Sequence, residues 1–197
     1  MKVSVKSLIG VSILAAALLA LPAGAATVTL KELRTAPHLT PEKFAAYFAD
    51  FEFKFHAEVQ DPNVFLKTKS GDCDDYATVA GEVLSASGYT PRLIAVRMKG
   101  ETHVVCYIEE VGGYLDYNCR KDANKIVPCS PKLTDIARKV ADSFGHDWVA
   151  TYEFTFDSHE RVKRLVDRIV SNRTDFRQTA SVADSSAAAQ KEQHEKH

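Results

Sequence analysis

A cysteine, a histidine and a carboxylate follow one another in this sequence in an order that suits nucleophilic chemistry. Cys73 stands between Asp72 and Asp74 in the run SGDCDDYA. A thiol is a good nucleophile only as a thiolate, and the unpaired N–H groups of a helix N-terminus favour that form. His103 and Asp116 lie downstream, and an imidazole oriented by a carboxylate is the base that such a nucleophile needs. Cys73, His103 and Asp116 are therefore the candidate catalytic residues.

The sequence around the cysteine predicts a helix that begins at Cys73. Asp72 is a suitable N-cap, and Asp75 lies at the spacing of a capping box. Gly88 is expected just after the end of this helix, at C′. Asp72 and Asp74 are explained most simply as an N-cap and a complement to the helix dipole.

Three strands are predicted after this helix, in the runs RLIAVRM, HVVCYIEE and YLDYN. Short glycine-containing turns separate the runs, so the strands should pair as antiparallel neighbours. On the second hairpin, His103 and Asp116 share a face but lie diagonally, whereas Asn118 lies directly opposite His103. Asp116 and Asn118 both remain candidates for the group that orients the imidazole.

The remaining segments predict further helices and a fourth strand. A helix from Pro41, stopped by Asp61-Pro62, should carry an aromatic core face. Residues 133–144 read as a helix, HDWVATYEFTF as a strand, and residues 158–170 as a last helix. Helices followed by an antiparallel sheet define an α+β domain. The aromatic positions expected to face the core are Phe44, Tyr47, Phe48, Phe51 and Phe55.

The two ends of the 197-residue chain read differently from its middle. Residues 1–25 have the lysines, apolar run and small-residue cleavage site of a secretory signal peptide, so a secreted or periplasmic protein is expected. The apolar run is too short for an integral membrane span. Residues 26–178 should form the domain, and residues 179–197 a disordered tail. The net charge of −1 gives no reason to expect nucleic acid as a partner.

The runs SGDCDDYA, GYTPRLIAV, HVVCYI and GGYLDYN resemble the transglutaminase-like superfamily, in particular bacterial transglutaminase-like cysteine proteinases. The resemblance implies a papain-like fold, in which N-terminal helices, including the cysteine-bearing one, pack on an antiparallel sheet. It implies that Cys73 is the nucleophile, His103 the general base and acid, and Asp116 the group that fixes the imidazole. The implied chemistry is acyl transfer through a thioester, with hydrolysis of a protein or peptide substrate as the favoured outcome. The alternative is a non-catalytic module that binds a peptide or a cell-wall component.

The sequence departs from the family pattern at two places. Val104 and Val105 follow the histidine where family members often have an aromatic residue. Family members also often carry an upstream tryptophan or glutamine that helps to bind the oxyanion. The backbone N–H of Cys73 can supply one oxyanion donor. His56 and Gln60 are weak candidates for the second donor, which the sequence leaves unassigned.

No cofactor is expected from the sequence, with calcium as the alternative. Some periplasmic transglutaminase-like proteinases bind calcium through acidic residues on either side of the nucleophile, and Asp72 and Asp74 resemble that arrangement. Carboxylate oxygens are the ligands that calcium requires.

The other three cysteines suggest structural roles. Cys106 should point away from His103 as a buried thiol, because it lies on the opposite face of the strand. Cys119 and Cys129 flank a short polar loop, and a disulfide between them is expected in an oxidising compartment. A zinc site of His103 and these three cysteines is a competing possibility, although the spacings lack the paired short turns usual for zinc.

Overall fold

The computed structural model of the protein describes residues 27–157 and 159–172. The signal peptide predicted at residues 1–25 and the tail predicted at residues 179–197 lie outside the described residues. Helices in the described part are α1 (Leu30–Thr35), α2 (Pro41–Ala46), α3 (Pro62–Thr68), α4 (Cys73–Ala86) and α5 (Leu133–Phe144). Its strands are β1 (Glu52–Phe53), β2 (Ser70–Gly71), β3 (Pro91–Met98), β4 (Thr102–Ile108), β5 (Gly113–Leu115), β6 (Ile126–Pro128), β7 (Trp148–Asp157) and β8 (Val162–Val170).

A six-stranded antiparallel sheet organises the fold. Its strand order is β6-β5-β4-β3-β7-β8, and β1 and β2 form a separate parallel pair. Helix α4 packs on β3 and β4, whereas α5 packs on β3 and β7. The predicted α+β class, with the cysteine-bearing helix preceding and packing on the sheet, is confirmed.

The two faces of the sheet contribute to two different hydrophobic cores, because successive side chains of a strand point to opposite sides. In β4, Val104, Cys106 and Ile108 belong to the core shared with the N-terminal helices and α4. Val105 and Tyr107 belong to the core shared with α5. Both layers therefore hold in place the strand that carries His103.

The start of α4 has the predicted capping box. The Asp75 side chain accepts a hydrogen bond from the backbone N–H of Asp72 at 3.1 Å, and Asp72 caps the helix in return. Gly71 precedes this box in a place without room for a side chain. A Cβ atom there would lie 2.5 Å from the Asp75 carboxylate and 2.6 Å from the Phe65 ring. Beyond the other end, Gly88 has a φ of +88°, as expected for a C′ glycine.

The long helix predicted from Pro41 is wrong in its extent. Helix α2 ends at Ala46, and the chain then turns to form β1, which pairs with β2. Asp61 does not stop a helix but begins one, because its side chain caps α3 by accepting from the N–H groups of Asn63 and Val64. Aspartate before proline suits this N-cap role as well as it suits a helix stop.

The aromatic core face predicted for that helix is only partly present. Phe44, Phe48 and Phe51 are buried, as expected, and their rings contact one another. Tyr47 and Phe55, in contrast, are 45% and 75% exposed. The two predictions for Tyr47 and Phe55 fail because helical spacing does not hold beyond Ala46.

The last element is a strand and not the predicted helix. Residues 162–170 form β8, which pairs along its length with β7 and is an edge strand of the sheet. A register shift between Glu153 and Phe154 interrupts the pairing. Such a bulge adds one residue to a strand and breaks the alternation of its apolar positions. The apolar residues of β8 therefore have the spacing of a helix, which explains the wrong prediction. Leu165 and Val166 are 63% and 58% exposed, unlike the core face of an amphipathic helix.

Candidate active site

Cys73 is the first residue of α4, where the capping box fixes the helix start. Its side chain is partly buried and lines the same cleft as His103 of β4, close enough to help raise the pKa of the His103 ring. The first N–H groups of a helix have no partner in the helix itself. The sulfur therefore lies where an anion is stabilised by the helix end.

His103 is held by a buried carboxylate. Its Nε2 lies 2.8 Å from Asp116 Oδ1, and the two residues are only 5% and 3% exposed. Asp116 follows β5 and begins a short 3₁₀ turn, in which the backbone N–H of Asn118 donates to the same Oδ1 at 2.8 Å. Phe144 of α5 packs on the other side, with its ring centre 4.8 Å from that of the imidazole. The ring is therefore fixed from two sides.

Asp116 and not Asn118 contacts the imidazole. Residues 103 and 118 would be opposite if the observed register of β4 and β5 continued, as the sequence indicated. The chain leaves the strand after Leu115, and Asn118 becomes an exposed residue of the 3₁₀ turn. Because of this turn, the diagonal residue Asp116, and not Asn118, is the partner of His103.

The surroundings of His103 favour its protonated form. Burial by itself lowers the pKa, but the hydrogen bonds to Asp116 and Cys73 and the charges of both outweigh burial and raise the pKa of His103 to about 10. A proton on His103 is therefore stabilised from both ends of the ring. An imidazolium beside a cysteine favours the thiolate.

A cleft of about 960 Å³ opens beside the cysteine and histidine. Phe53, at the end of β1, and Phe55, in the loop that follows, form part of one wall, and Leu165 of β8 lies in the lining with Tyr152 and Phe154 of β7. A volume of this size accommodates several residues of an extended peptide or a ligand of similar size. The sequence analysis missed this wall because it assigned Phe55 to the core and β8 to a helix.

The structure separates the two weak candidates for a second oxyanion donor. The Nε2 group of Gln60 donates to Asp75 at 2.6 Å and to the backbone carbonyl of Ser70 at 3.0 Å, so it is already engaged. His56 lines the cleft together with Cys73, and its Nε2 is buried without a hydrogen-bond partner. Its backbone N–H donates to Asp72 at 2.8 Å, which fixes His56 beside the residue that precedes Cys73.

Three carboxylates gather at the start of α4. Oxygens of Asp72, Asp74 and Asp75 lie within 4.8 Å of one another. Burial, followed by a hydrogen bond with Asp72, raises the pKa of Asp74 to about 7. Lys163 contacts Asp74 at 3.1 Å, and Gln60 donates to both oxygens of Asp75. Calcium needs six to eight oxygen ligands. All of these carboxylate oxygens except Asp74 Oδ1 already accept from the protein, so the three side chains do not supply the ligand set of a calcium site.

The disulfide predicted between Cys119 and Cys129 is wrong, because both residues are free thiols. The pairing of β5 with β6 explains the separation. It places Cys129 next to Gly112, before β5, whereas Cys119 comes after that strand. The two thiols therefore lie toward opposite ends of the pair.

Cys106 is a fully buried thiol in the core on the α4 side, as predicted. Burial raises the pKa of Cys106 to about 12. Burial and nearby Asp116 and Asp122 raise the pKa of Cys119 to about 12 as well. Among residues 27–157 and 159–172, the one cluster with metal-ligand spacing is the aspartate group, so the alternative zinc site of His103 and the three cysteines does not form.

The 3₁₀ turn that contains Asp116 is tied to the segment that leads into the cleft wall. The Tyr117 hydroxyl donates to the backbone carbonyl of Glu52 at 2.7 Å. Arg120 donates to the carbonyl of Phe51 at 2.9 Å, and its guanidinium lies 4.0 Å from the centre of the Tyr117 ring. The orienting carboxylate and residues 51–53 are therefore linked through neighbouring residues.

A comparison with protein families identifies the class of this domain. The model of a family described as a transglutaminase-like domain matches residues 31–117, a segment that contains the cysteine, the histidine and the carboxylate. Together with the fold, this match supports a transglutaminase-like domain in this part of the chain. A search of curated proteins found no match. None of the helices within residues 27–157 and 159–172 is long and apolar enough to cross a membrane.

Proposed function

We propose that the protein is an exported cysteine-dependent acyl-transfer enzyme that hydrolyses a peptide or amide bond through a thioester on Cys73. A transglutaminase-like domain suggests acyl-transfer or peptidase-like chemistry. The observation that carries the proposal is the placement of Cys73 beside His103, whose ring is held by Asp116, at the edge of a peptide-sized cleft. Export rests on the predicted signal peptide.

In the acylation step, the Cys73 thiolate attacks the substrate carbonyl carbon, and a C–S bond forms. The negative charge on the carbonyl oxygen is stabilised by the backbone N–H of Cys73 at the helix N-terminus. His103 donates its proton to the leaving nitrogen as the C–N bond breaks. The products are an amine and a thioester, and His103 is left neutral.

In the deacylation step, neutral His103 removes a proton from water, and the resulting hydroxide attacks the thioester carbonyl. The C–S bond breaks, the carboxylic acid leaves, and the thiolate and imidazolium return. Asp116 holds the ring throughout and stabilises its charged form. An amine in place of water would give transfer instead of hydrolysis.

The experiment that tests the proposal is peptide cleavage by the purified mature protein, measured by mass spectrometry on a mixed peptide library. We expect cleavage by the parental protein and none by Cys73→Ala. Cys119→Ser serves as the matched control, because Cys119 lies away from the cleft, and it should cleave normally. Equal cleavage by the parental protein and Cys73→Ala would refute the proposal. A labelled primary amine added to the reaction distinguishes transfer from hydrolysis.

The second candidate function is a non-catalytic module that binds a peptide or cell-wall component in the same cleft. The observation in its favour is the set of exposed aromatic side chains along the wall, which would bind a ligand without any chemistry. Binding without cleavage, together with slow alkylation of Cys73, would support this function over the first.

A further inference from the structure

Three of the most exposed large apolar side chains in the described part of the chain lie in the cleft. Phe53, Phe55 and Leu165 are 62%, 75% and 63% exposed, and all three line the cavity that contains Cys73. Single exposed apolar residues are ordinary, but a group of them gathered in one concave site is typical of ligand binding.

The sheet extends this apolar surface towards the nucleophile. Leu165 pairs with Phe154 of β7, so both side chains point to the same side of the sheet. Phe154 pairs with Leu93 of β3, and Val104, next to His103, belongs to the same core. Apolar side chains therefore run from the edge strand to the catalytic histidine.

A cation in the lining of this wall is already paired with a carboxylate. Lys163 lies in the cleft lining two residues before Leu165, and its ammonium group is paired with Asp74 at 3.1 Å. The wall therefore offers an apolar surface rather than a free charge to an incoming side chain.

We propose that Phe53, Phe55 and Leu165 form a subsite for a large apolar side chain, aromatic or branched aliphatic, of a peptide substrate bound beside Cys73. The identity of the occupant as substrate rests on the proposed function. Contact with such a side chain would remove apolar surface of both partners from water, which favours binding. Peptides that carry an acidic side chain at the same place would lose this contribution.

The test uses binding, so that it does not depend on turnover. Short fluorescein-labelled peptides, identical except for phenylalanine, leucine, alanine or glutamate at the central position, are titrated onto Cys73→Ala and followed by fluorescence anisotropy. We expect the phenylalanine and leucine peptides to bind about tenfold more tightly than the alanine and glutamate peptides. Adding Phe55→Ala should remove most of this preference.

Tyr47→Ala, added to the same Cys73→Ala background, is the matched control. Tyr47 is a 45% exposed aromatic residue outside the cleft lining, so the preference should persist. Equal affinity for all four peptides, or a preference unchanged by Phe55→Ala, would overturn the subsite. If the preference is present but the parental protein cleaves none of the peptides, the subsite stands and the hydrolase proposal fails.

A second inference comes from a different observation, the buried and unpartnered Nε2 of His56. Unsatisfied buried polar atoms are rare in proteins, and each one calls for an explanation. His56 lines the cleft with Cys73 and is anchored through its backbone to Asp72, which directly precedes the nucleophile.

We infer that His56, with its proton on Nε2, is the second oxyanion donor of the proposed reaction, after a rotation of its ring that brings the buried Nε2 to the cleft. Its partner would be the oxygen that becomes negative when the thiolate attacks, alongside the backbone N–H of Cys73. Gln60 is excluded from this role by its bonds to Asp75 and Ser70.

Two reagents separate this role from a merely structural one. Iodoacetamide alkylates the thiolate by displacement of iodide at a saturated carbon, so no oxyanion forms. p-Nitrophenyl acetate acylates it: a C–S bond forms, the ester C–O bond breaks, and p-nitrophenolate leaves, with a negative carbonyl oxygen in between. His56→Ala should slow acylation by roughly a hundredfold while alkylation is unchanged.

His56→Gln, which restores a donor, should recover part of the acylation rate, and His159→Ala, at an exposed histidine, should change neither rate. Equal acylation by His56→Ala and the parental protein would overturn the assignment. So would a parallel loss of both rates, because that would indicate a displaced Cys73. Rapid acylation without peptide cleavage would count against the hydrolase proposal alone.

Discussion

His103 binds Asp116 through Nε2, which leaves Nδ1 as the ring nitrogen that can meet Cys73. The imidazole therefore lies between a buried carboxylate and a sulfur at a helix N-terminus. This arrangement fixes the tautomer of the neutral ring. Nε2 carries the proton, because it donates the hydrogen bond that Asp116 accepts. Nδ1 is then the atom that exchanges a proton with the thiol or the substrate.

Selective alkylation should identify Cys73 as the reactive thiol. Cys106 and Cys119 have pKa values raised to about 12, and burial raises the pKa of Cys129 as well. We expect iodoacetamide near neutral pH to add a single group to the native protein, on Cys73, as located by peptide mass spectrometry. Cys73→Ala should remove the fast phase. Slow labelling of all four cysteines would favour the binding module.

Replacing Asp116 should affect turnover far more than replacing Asn118. Asp116→Ala removes the acceptor that holds His103, so kcat for peptide cleavage should fall by about a hundredfold or more. Asp116→Asn retains an oxygen and should restore part of that loss. Asn118→Ala should stay within a few-fold of the parental rate, because the backbone N–H of Asn118 makes the contact with Asp116. A larger loss in Asn118→Ala than in Asp116→Ala would reverse the assignment.

The raised pKa of His103 predicts how stability depends on pH. The pKa is about 10 in the folded protein against an ordinary value of 6.5, so the folded state binds the proton more tightly. The stabilising contribution is complete below pH 6.5 and is lost as pH rises through about 10. Urea unfolding over this window should show a decline in the free energy of unfolding. His103→Gln should decline less steeply, and an identical decline would contradict the raised pKa.

The four cysteines should all be free in the folded protein. When the purified protein is denatured without reductant and alkylated, mass spectrometry should show four added groups. Dithiothreitol should leave the melting temperature unchanged. Two added groups and a cross-linked peptide containing Cys119 and Cys129 would instead require β6 to leave its place beside β5.

Removal of divalent cations should not destabilise the protein. Oxygens of Asp72, Asp74 and Asp75 already accept hydrogen bonds from backbone, glutamine and lysine donors. EDTA should therefore leave the melting temperature where it is, and added calcium should not raise it. A rise that saturates with calcium, and that Asp74→Asn abolishes, would show that the aspartate group rearranges to bind the ion.

Local signals were sufficient to predict the element that carries the nucleophile. The N-cap, the capping box and the C′ glycine of α4 depend on residues a few positions apart, so the sequence displays them directly. The pairing of β4 with β5 was also predicted, because short hairpins have few possible registers. The strand pairing alone left both Asp116 and Asn118 open as partners of His103, because the choice depends on a 3₁₀ turn that replaces the end of the strand; the family resemblance indicated Asp116.

Longer-range features were predicted less well. The aromatic residues after Ala46 kept a helical spacing for a few positions, but pairing of β1 with β2, from distant segments, determined the backbone there. The bulge in β8, where Val166 has no partner in β7, hid the alternation of this strand. The role inferred for His56 was indicated only weakly by the sequence, in which a histidine lies upstream of Cys73. The domain boundaries at 26 and 178 stay a prediction.

The bonds from Tyr117 and Arg120 to residues 51 and 52 join the segment that leads into the proposed apolar subsite to the turn that holds Asp116. If Phe53 contacts the substrate as proposed, a side chain that displaces Phe53 would also disturb the support of the His103 ring. A substrate that fits poorly would then be cleaved more slowly as well as bound more weakly. An ill-fitting peptide would be discriminated against twice, once when it binds and again when it reacts.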